Sequence, residues 1–383
     1  MLLTMLAAMT AAPDNVTLTD IEWDVSGPAP NEFFLNQLAP VSASDAAADD
    51  MMHQPLAHYG RSDLIAATSS FHARKPCKAP DANRLSWEAL LERAASTRVV
   101  IVNEAHVSPW HRATTAAMLA PLRDLGYTHF AAEAFANLRE DQGVDPIVAH
   151  ADEPYARRTD GSYFEPVFGQ LVRQAKRLGF TLAAYEAFTT AADMQLPRRE
   201  AIAKRETSQA SNLAAILEAD PSAKILVHVG HSHVREEPAA DGQLWMAARL
   251  KETTGIDPLT ISQIVCTGGP DGSPRVIPVP DSHRAETGTD LVIETAPAAD
   301  YRVRPEGAVA VNVPDSWRHG EGWTLVEAIR AGEPDSAIPA DHLLIHATDN
   351  GDFTLYLEPG DYRIRLRPVA PVAAPPPFMV IES

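Results

Sequence analysis

The chain has 383 residues, 45% of them hydrophobic, and its 51 acidic and 32 basic side chains give a formal net charge of −19. This length and hydrophobic content allow two domains, or one large domain with attachments. The acidic balance argues against nucleic acid or an anionic membrane as the main partner, because both bind positive surfaces. No segment approaches the roughly 20 apolar residues of a membrane-spanning helix, so we expect no transmembrane segment.

The N-terminus and the cysteines bear on the compartment. Residues 1–13, MLLTMLAAMTAAP, combine a short apolar run with small residues, as at the end of a secretory signal, but lack a basic start. They are either a shortened signal peptide, which would make the protein periplasmic or extracellular, or the plain start of a cytoplasmic protein. Cys77 and Cys266 fit neither a disulfide framework nor a zinc ribbon, so one bridge and two buried thiols both stay open.

Regular structure is predicted only after an irregular N-terminal arm. Residues 14–83 are rich in Pro, Ala, Asp and Ser and lack periodicity, so we expect them to be extended or partly ordered. A helix then follows the capping residue Ser86. Another begins at Ser108 and Pro109, a hydroxyl cap and a proline, and stops at Gly126. Strands are predicted at 99–102, 128–135, 180–188, 223–230 and 258–266. The helices between them are predicted at 109–125, 163–178, 198–218 and 243–254.

These strands and helices alternate along the chain, and the strands are near-continuous apolar runs. The pattern is typical of an α/β fold, a mainly parallel sheet with helices on both faces. We therefore assign residues 84–280 to an α/β domain. In such sheets ligands bind at the carboxyl ends of the strands, so functional residues are expected there.

Residues 281–383 differ from the α/β domain in their pattern of apolar and polar residues. Short alternating strands are predicted at 323–329, 342–348, 353–359 and 362–368, separated by Asp, Asn, Gly and Pro. The turn at Pro359, Gly360 and Asp361 predicts that the last two strands form a β-hairpin. We expect a small antiparallel β module at the C-terminus, ending in a Pro-rich tail.

Titratable residues stand at the carboxyl ends of four predicted strands: Glu104 and His106, Glu133, Glu186, and His231 and His233. A buried carboxylate is costly unless it is paired, hydrogen-bonded or bound to a cation. Their repetition at four strand ends favours a functional cluster over a purely structural network. For Glu133 and Glu186 the alternative is an ion pair with Arg199 or Arg205. His228, in mid-strand on the opposite face, is expected to be a core residue.

The residue types at these strand ends suit two kinds of chemistry. Glu104 and His106 share a face of an extended strand, as do His231 and His233. His111 lies in the first turn of the next helix, whose positive end favours neutral imidazole. Neutral imidazole and carboxylate suit a divalent metal such as Mn, Zn or Fe, which predicts Glu104, His106 and His233 as metal ligands. The same groups can act as general base and acid without a metal.

Four short motifs follow one another between residues 85 and 266. They are the strand ending in Asn103-Glu104-Ala105-His106 with His111 after it, the strand ending in Glu133, the helix KRETSQASNLAAIL, and the strand running into Gly230-His231-Ser232-His233. In order and spacing they resemble the Tiki/TraB/ChaN-like superfamily, which includes the more distant erythromycin-esterase-like proteins. The C-terminal β module is not part of the resemblance.

The resemblance implies a central parallel-type sheet with a site built from these motifs. In Tiki-like members, the histidines of the G-x-x-H motif look like metal ligands of a peptidase. In erythromycin-esterase-like members, a His and a Glu of the first motif act in hydrolysis without an obvious metal, and ChaN-like members bind haem and are associated with iron uptake. Asn103 stands here in place of the usual glycine. Because asparagine tolerates the left-handed conformation, we expect the turn to survive.

The leading hypothesis is a hydrolase of amide or ester bonds in a small molecule or peptide, metal-assisted or using a His/Glu general base. Its catalytic residues are predicted to be Glu104, His106, Glu133, Glu186 and His233, and its substrate-binding residues His111, Arg205 and His231. The alternative is a haem- or iron-binding uptake protein without turnover, to which His150, Tyr155 and Tyr163 would contribute. A third hypothesis is an exported adhesion or scaffold protein whose α/β site has decayed.

Overall fold

The computed structural model describes residues 15–25, 53–54, 56–68, 85–138, 142–266, 275–279, 284, 286–294, 302–350 and 353–369. The predicted signal segment and Cys77 lie outside these residues, whereas Cys266 is disulfide-bonded. The chain divides into an α/β unit, residues 74–163 and 170–300, and a β unit, residues 1–73, 164–169 and 301–383. Within the described residues, no helix is both long and apolar enough to cross a membrane.

Strands and helices are numbered here in chain order over the described residues. The strands are β1 Val16–Trp23, β2 Val99–Glu104, β3 His129–Ala132, β4 Thr181–Ala184, β5 Ile225–Gly230, β6 Leu259–Ser262, β7 Arg275–Pro278, β8 Leu291–Glu294, β9 Val309–Asn312, β10 Trp323–Arg330, β11 Asp341–His346, β12 Thr354–Leu357 and β13 Gly360–Val369. The helices are α1 Ser62–Thr68, α2 Trp87–Ala95, α3 Pro109–Asp124, α4 Pro146–Ala149, α5 Pro166–Arg177, α6 Arg198–Ala219 and α7 Met246–Thr254.

A seven-stranded sheet in the order β4-β3-β5-β2-β6-β8-β7 forms the centre of the α/β unit. Every neighbouring pair is parallel except β7 and β8. The predicted α/β class, with a mainly parallel sheet and helices, is confirmed. The strands β4, β3, β5 and β2 lie side by side, and β2 and β5 are buried along their whole length. Their carboxyl ends therefore meet along one continuous stretch of the sheet edge.

Local signals in the sequence set the ends of the helices around this sheet. The Ser86 hydroxyl accepts a hydrogen bond of 3.2 Å from the Ala89 amide at the start of α2. Helix α3 begins at Pro109 as predicted, but the Ser108 hydroxyl makes no capping bond to any described residue of that helix. The proline, which needs no partner for a backbone N–H, therefore marks this start. Gly126, with φ +86°, follows the end of α3 in the left-handed conformation.

The sheet continues beyond the composition change that the sequence shows near residue 280. Strand β8 runs parallel to β6, with Leu291 opposite Ile261, and β7 pairs antiparallel with β8. Both added strands have only four residues, and turn-forming residues surround them. The regular alternation of strands and helices ends before them, so the sequence pattern did not reveal their place in the sheet.

The β unit contains a four-stranded sheet in the order β1-β13-β10-β11 and a two-stranded antiparallel sheet of β12 and β9. Strand β1, from the segment expected to be irregular, pairs parallel with β13. A β-bulge shifts its register between Leu18 and Asp20, and Leu18 and Ile21 both pack against the core of the β unit. Because the bulge breaks the two-residue period of a strand, alternation could not reveal β1 in the sequence.

The predicted hairpin of the last two strands is wrong. Both edges of β13 are already hydrogen-bonded, one to β1 and the other to β10, so β13 cannot also pair with β12. Strand β12 pairs instead with β9, and its residues Leu355 and Leu357 join the same buried core as Ile364 and Leu366 of β13. The Pro359 turn thus connects two sheets that share one core.

Candidate active site

The carboxyl edge of β2, β3, β4 and β5 brings most of the predicted site residues together. Glu104 ends β2, Glu133 follows β3, and Glu186 comes two residues after β4. Strand β5 ends at Gly230 and leads directly into a 3₁₀ turn, His231–Val234. Because these four strands are parallel neighbours, their terminal side chains point into one region of the α/β unit.

The Glu104 carboxylate lies in a buried cluster of polar partners. Its side chain is 2% exposed, and its Oε2 lies 2.5 Å from Nη1 of Arg112 and 3.0 Å from Nε2 of His228. The Tyr163 hydroxyl donates to its Oε1 at 2.6 Å. Burial alone would raise the pKa of Glu104, but the charge of Arg112 and the ring of His228 hold that pKa well below its ordinary value. Glu104 is therefore an ionised carboxylate.

His106 extends from this cluster towards solvent. Its Nδ1 lies 3.2 Å from Oε1 of Glu104 and also contacts the Tyr163 hydroxyl. Burial and the Glu104 charge raise the pKa of Tyr163 well above its ordinary value, so the phenol keeps its proton. An ionised acceptor beside Nδ1 favours a proton on that nitrogen. The His106 side chain is 22% exposed, so solvent reaches the ring.

Gly230 is required where the His106 ring meets β5. A Cβ at this position would lie 2.8 Å from Nε2 of His106 and 3.0 Å from Oε2 of Glu133. The Gly230 amide also donates to that Glu133 oxygen. The absence of a side chain thus lets the imidazole and the second carboxylate approach the end of β5 together.

Arg205, on α6, binds the carboxylates of both neighbouring strands. Its Nη2 contacts Glu133 and Glu186, and its Nε donates to Oε1 of Glu186 at 3.0 Å. Gln209, one turn further along α6, donates to Oε2 of Glu186 at 3.0 Å. Of the two arginines considered from the sequence, Arg205 is the partner, whereas Arg199 donates to a backbone carbonyl. The Arg205 side chain is 38% exposed and borders the site.

His233 forms a second carboxylate–histidine pair, with Glu206. Its Nδ1 lies 2.7 Å and 2.8 Å from the two Glu206 oxygens, and its Nε2 lies 3.2 Å from Nη1 of Arg205 and 3.5 Å from Oε1 of Glu133. Burial would lower the pKa of His233, but Glu133 and Glu206 raise it above 6.5. Burial would likewise raise the pKa of Glu133, but His233 and Arg205 lower it to about 2.

Sequence reasoning gave no role to Glu206, although a signal was present. Glu206 is fully buried and lies on the same stripe of α6 as Gln209, Ala210, Leu213 and Leu217. A carboxylate on the buried stripe of an amphipathic helix needs a partner, and this spacing could have marked it. Arg112 was not predicted either, and His228 was predicted only as a core residue.

Asn103 supports the site in a different way from that expected. It lies within β2, and its Nδ2 donates to the carbonyl of His231 at 2.7 Å. Its Oδ1 accepts the Gln263 amide at 2.8 Å, and the Gln263 side chain donates back to the Asn103 carbonyl at 2.8 Å. The left-handed conformation belongs to His231, with φ +36°, and not to Asn103. Asn103 therefore secures a strained residue between Gly230 and His233.

His111 and His231 occupy different parts of the site. His111 is 1% exposed, and its Nδ1 accepts the Ala105 amide at 2.9 Å, so it holds the backbone that carries His106 and lies below the surface that a substrate would reach. The His231 ring meets the His106 ring edge to face, with centroids 5.1 Å apart. His231 therefore borders the exposed part of the site.

The residues predicted to bind a metal do not fit one ion. Glu104 is bound by a guanidinium, a phenol and an imidazole, and Nε2 of His233 faces the Arg205 cation. A divalent ion at His233 would be repelled by this guanidinium. Across the described parts of the chain, no group of three or more His, Cys, Asp or Glu side chains is arranged to hold a metal.

The residues suggested for haem are also engaged elsewhere. Nδ1 of His150 lies 2.6 Å from Oδ1 of Asp160, and the Tyr163 hydroxyl is hydrogen-bonded to Glu104. Tyr155 stacks with the Arg157 guanidinium. An axial ligand must present a lone pair or an anion to the iron. The Tyr163 hydroxyl keeps its proton and donates it in a hydrogen bond to a buried carboxylate, so it is not available as such an anion.

Comparisons with known proteins add no family to this description. No protein-family model and no curated protein matches the chain. Among solved structures, the type III effector HopBA1 is 16% identical over 54% of this chain and 92% of its own, with a TM-score of 0.38. The C-terminal region of Pasteurella multocida toxin, described as having a thiol-protease-like catalytic triad, is 12% identical over 84% of this chain and 48% of its own, with a TM-score of 0.35. RRSP, a MARTX toxin effector domain from Vibrio vulnificus CMCP6, is 15% identical over 67% of this chain and 48% of its own, with a TM-score of 0.31.

Replacing Glu133 by Gln should lower the pKa of His233, because burial of the ring persists while its main negative partner is lost. In the native protein the interaction between Glu133 and the His233 imidazolium stabilises the fold fully below about pH 6.5. This stabilisation is lost as the pH rises through the raised pKa of His233. NMR titration of the histidine Cε1–H resonances measures the change. Glu153→Gln, at a partly exposed pair with Arg157, is the matched control. An unchanged His233 titration in Glu133→Gln would contradict the assigned interaction.

Replacing Asn103 by Ala should reduce the free energy of unfolding by about 2–4 kcal/mol, because it leaves the His231 carbonyl and the Gln263 amide without their buried partner. Urea denaturation measures the loss. Asn212→Ala removes a bond of 3.0 Å from an exposed asparagine to a backbone carbonyl and should cost less than about 1 kcal/mol. Equal losses in the two variants would show that Asn103 has no special part in holding the turn.

Proposed function

We propose that the α/β unit hydrolyses amide or ester bonds without a metal, with His106 as the general base and Glu104 orienting its ring. The observation that supports this most is the difference in exposure among the site histidines. Side-chain exposure is 22% for His106, 9% for His233 and 2% for His228. His106 is thus more open to water and substrate than His233 and His228, and a buried, ionised carboxylate holds its inner nitrogen.

In the proposed first step, Nε2 of His106 takes a proton from water as the water oxygen bonds to the carbonyl carbon of the substrate. The carbonyl π electrons move to oxygen and form a tetrahedral oxyanion. Glu104 orients the ring and stabilises the imidazolium that forms. A positioned general base of this kind contributes roughly 10²–10⁴ to a rate.

Arg205 supplies positive charge beside this base. The guanidinium is partly exposed, and Glu133 lies against it, against His233 and near the His106 ring. We assign the oxyanion to Arg205, because a pre-oriented cation stabilises charge that develops in the transition state. When the intermediate collapses, the C–N or C–O bond breaks and the leaving group takes the proton from the His106 imidazolium.

The same pair of residues bears on the superfamily branch to which the chain is most similar, and the N-terminus bears on the compartment. A Glu and a His from the first motif acting without a metal is what the resemblance implies for erythromycin-esterase-like members. We therefore place the chain nearest that branch of the Tiki/TraB/ChaN-like superfamily, with a small molecule or peptide as substrate. If residues 1–13 are a secretory signal, the reaction takes place outside the cytoplasm.

Replacing His106 by Ala should reduce kcat at least about 100-fold on whichever members of a panel of p-nitrophenyl esters, lactones and amino-acid p-nitroanilides the native protein hydrolyses. His129→Ala is the matched control, since His129 begins β3 at the opposite end of the same sheet. Circular dichroism should show that both variants are folded. Equal rates for native protein and His106→Ala would refute the assigned base.

Removal of metal should leave hydrolysis unchanged, because Arg205 occupies the position from which a metal would bind His233. The measurement is the rate before and after exhaustive dialysis against EDTA, with elemental analysis of the protein used. A loss of rate that Zn²⁺, Mn²⁺ or Fe²⁺ restores would instead support the metal-assisted form of the hydrolase.

A further inference from the structure

Exposed large hydrophobic side chains concentrate on the segments that leave the carboxyl ends of β3 and β4. Eight such side chains occur among the described residues, and five of them lie on the two loops that follow β3 and β4, the first of which includes the short helix α4 with Val148. We call these five the apolar rim: Leu138, Val144, Val148, Phe188 and Met194, between 37% and 69% exposed. Single exposed hydrophobic residues are ordinary, but a concentration of them on adjacent loops marks a binding surface.

The sheet and one side-chain bond bring these two loops together. Strands β3 and β4 are parallel neighbours, with Ala132 opposite Ala184, so both loops leave the sheet at the same place. The Asn137 side chain then donates to the carbonyl of Glu186. This bond joins the loops next to Leu138 and two residues before Phe188.

The same loops border the charged part of the site. Glu186, two residues before Phe188, binds the Arg205 guanidinium through both of its carboxylate oxygens. Asp193, just before Met194, pairs with Lys204, the neighbour of Arg205 on α6. Phe188 and Met194 of the apolar rim therefore lie close in the chain to residues paired with Arg205 or with its neighbour Lys204, and Arg205 is the cation to which the proposed function assigns the oxyanion.

We infer that the apolar rim binds the apolar acyl or side-chain group next to the scissile bond, so the substrate class is an ester or amide with an aliphatic or aromatic substituent. This inference rests on the proposed hydrolase function. Glu133 and Glu186 are already paired with Arg205. The apolar rim is the nearby surface on which an apolar part of the substrate would be removed from water and so add binding affinity. Selectivity should therefore increase with the size of the apolar group.

The test compares p-nitrophenyl octanoate with acetate, and leucine with alanine p-nitroanilide. The first pair probes lipid-like esters and the second probes apolar peptides. The native protein should prefer the larger member of at least one pair about tenfold or more in kcat/KM. Phe188→Ser and Met194→Ser should each reduce that preference severalfold. Val265→Ser is the matched control, because Val265 is 44% exposed but follows β6, outside the rim.

The outcomes separate this inference from the proposed function. Hydrolysis with no preference for the larger group, or a preference that Phe188→Ser and Val265→Ser reduce equally, would overturn the inference and leave the hydrolase standing. If no substrate is hydrolysed, the hydrolase fails, and the rim is judged by calorimetric titration with sodium octanoate. Binding that Phe188→Ser weakens and Val265→Ser does not would support the rim, and no binding by the native protein would overturn it.

Discussion

The candidate site depends on one buried charge, the Glu104 carboxylate at the end of β2. A carboxylate 2% exposed to solvent is tolerated only if cations and donors replace its water, and Arg112, His228 and Tyr163 do so. Each of these partners comes from a different part of the α/β unit. Ionised Glu104 therefore connects α3, β5 and the loop that carries Tyr163, and it faces Nδ1 of His106.

Around this charge, the site contains two carboxylate–histidine pairs whose histidine rings differ in their exposure to solvent. Glu104 holds His106 near solvent, and Glu206 holds His233 in a buried position. Glu133 lies against both imidazoles and pairs with Arg205. The two histidines consequently differ in their exposure to water: His233 is buried between Glu133 and Glu206, which raise its pKa, whereas the His106 ring beside Glu104 is partly open to solvent. Such a difference between neighbouring groups is what acid–base chemistry at one site requires.

The sequence predicted the sheet and its edge better than the contacts at that edge. Apolar runs ending in Glu104, Glu133 and Gly230 marked buried parallel strands, because a strand covered on both faces has few polar residues. Arg112 and Glu206 were not assigned because helix periodicity indicates which side chains share a face, while their partners depend on how helices pack. The same limit explains the wrong hairpin: turn residues around Pro359 revealed a reversal of the chain but not which strands pair after it.

The proton position on His106 is the most direct test of this account, because catalysis by the outer nitrogen requires a lone pair there. The ¹⁵N shifts and two-bond couplings of the His106 ring, measured by NMR at a pH where the ring is neutral and assigned with His106→Ala, distinguish the two tautomers. The account predicts a proton on Nδ1, beside Glu104, and an unprotonated Nε2. A neutral ring with the proton on Nε2 would contradict it, since Glu104 would then face a lone pair and His106 could not accept a proton from water at its exposed side.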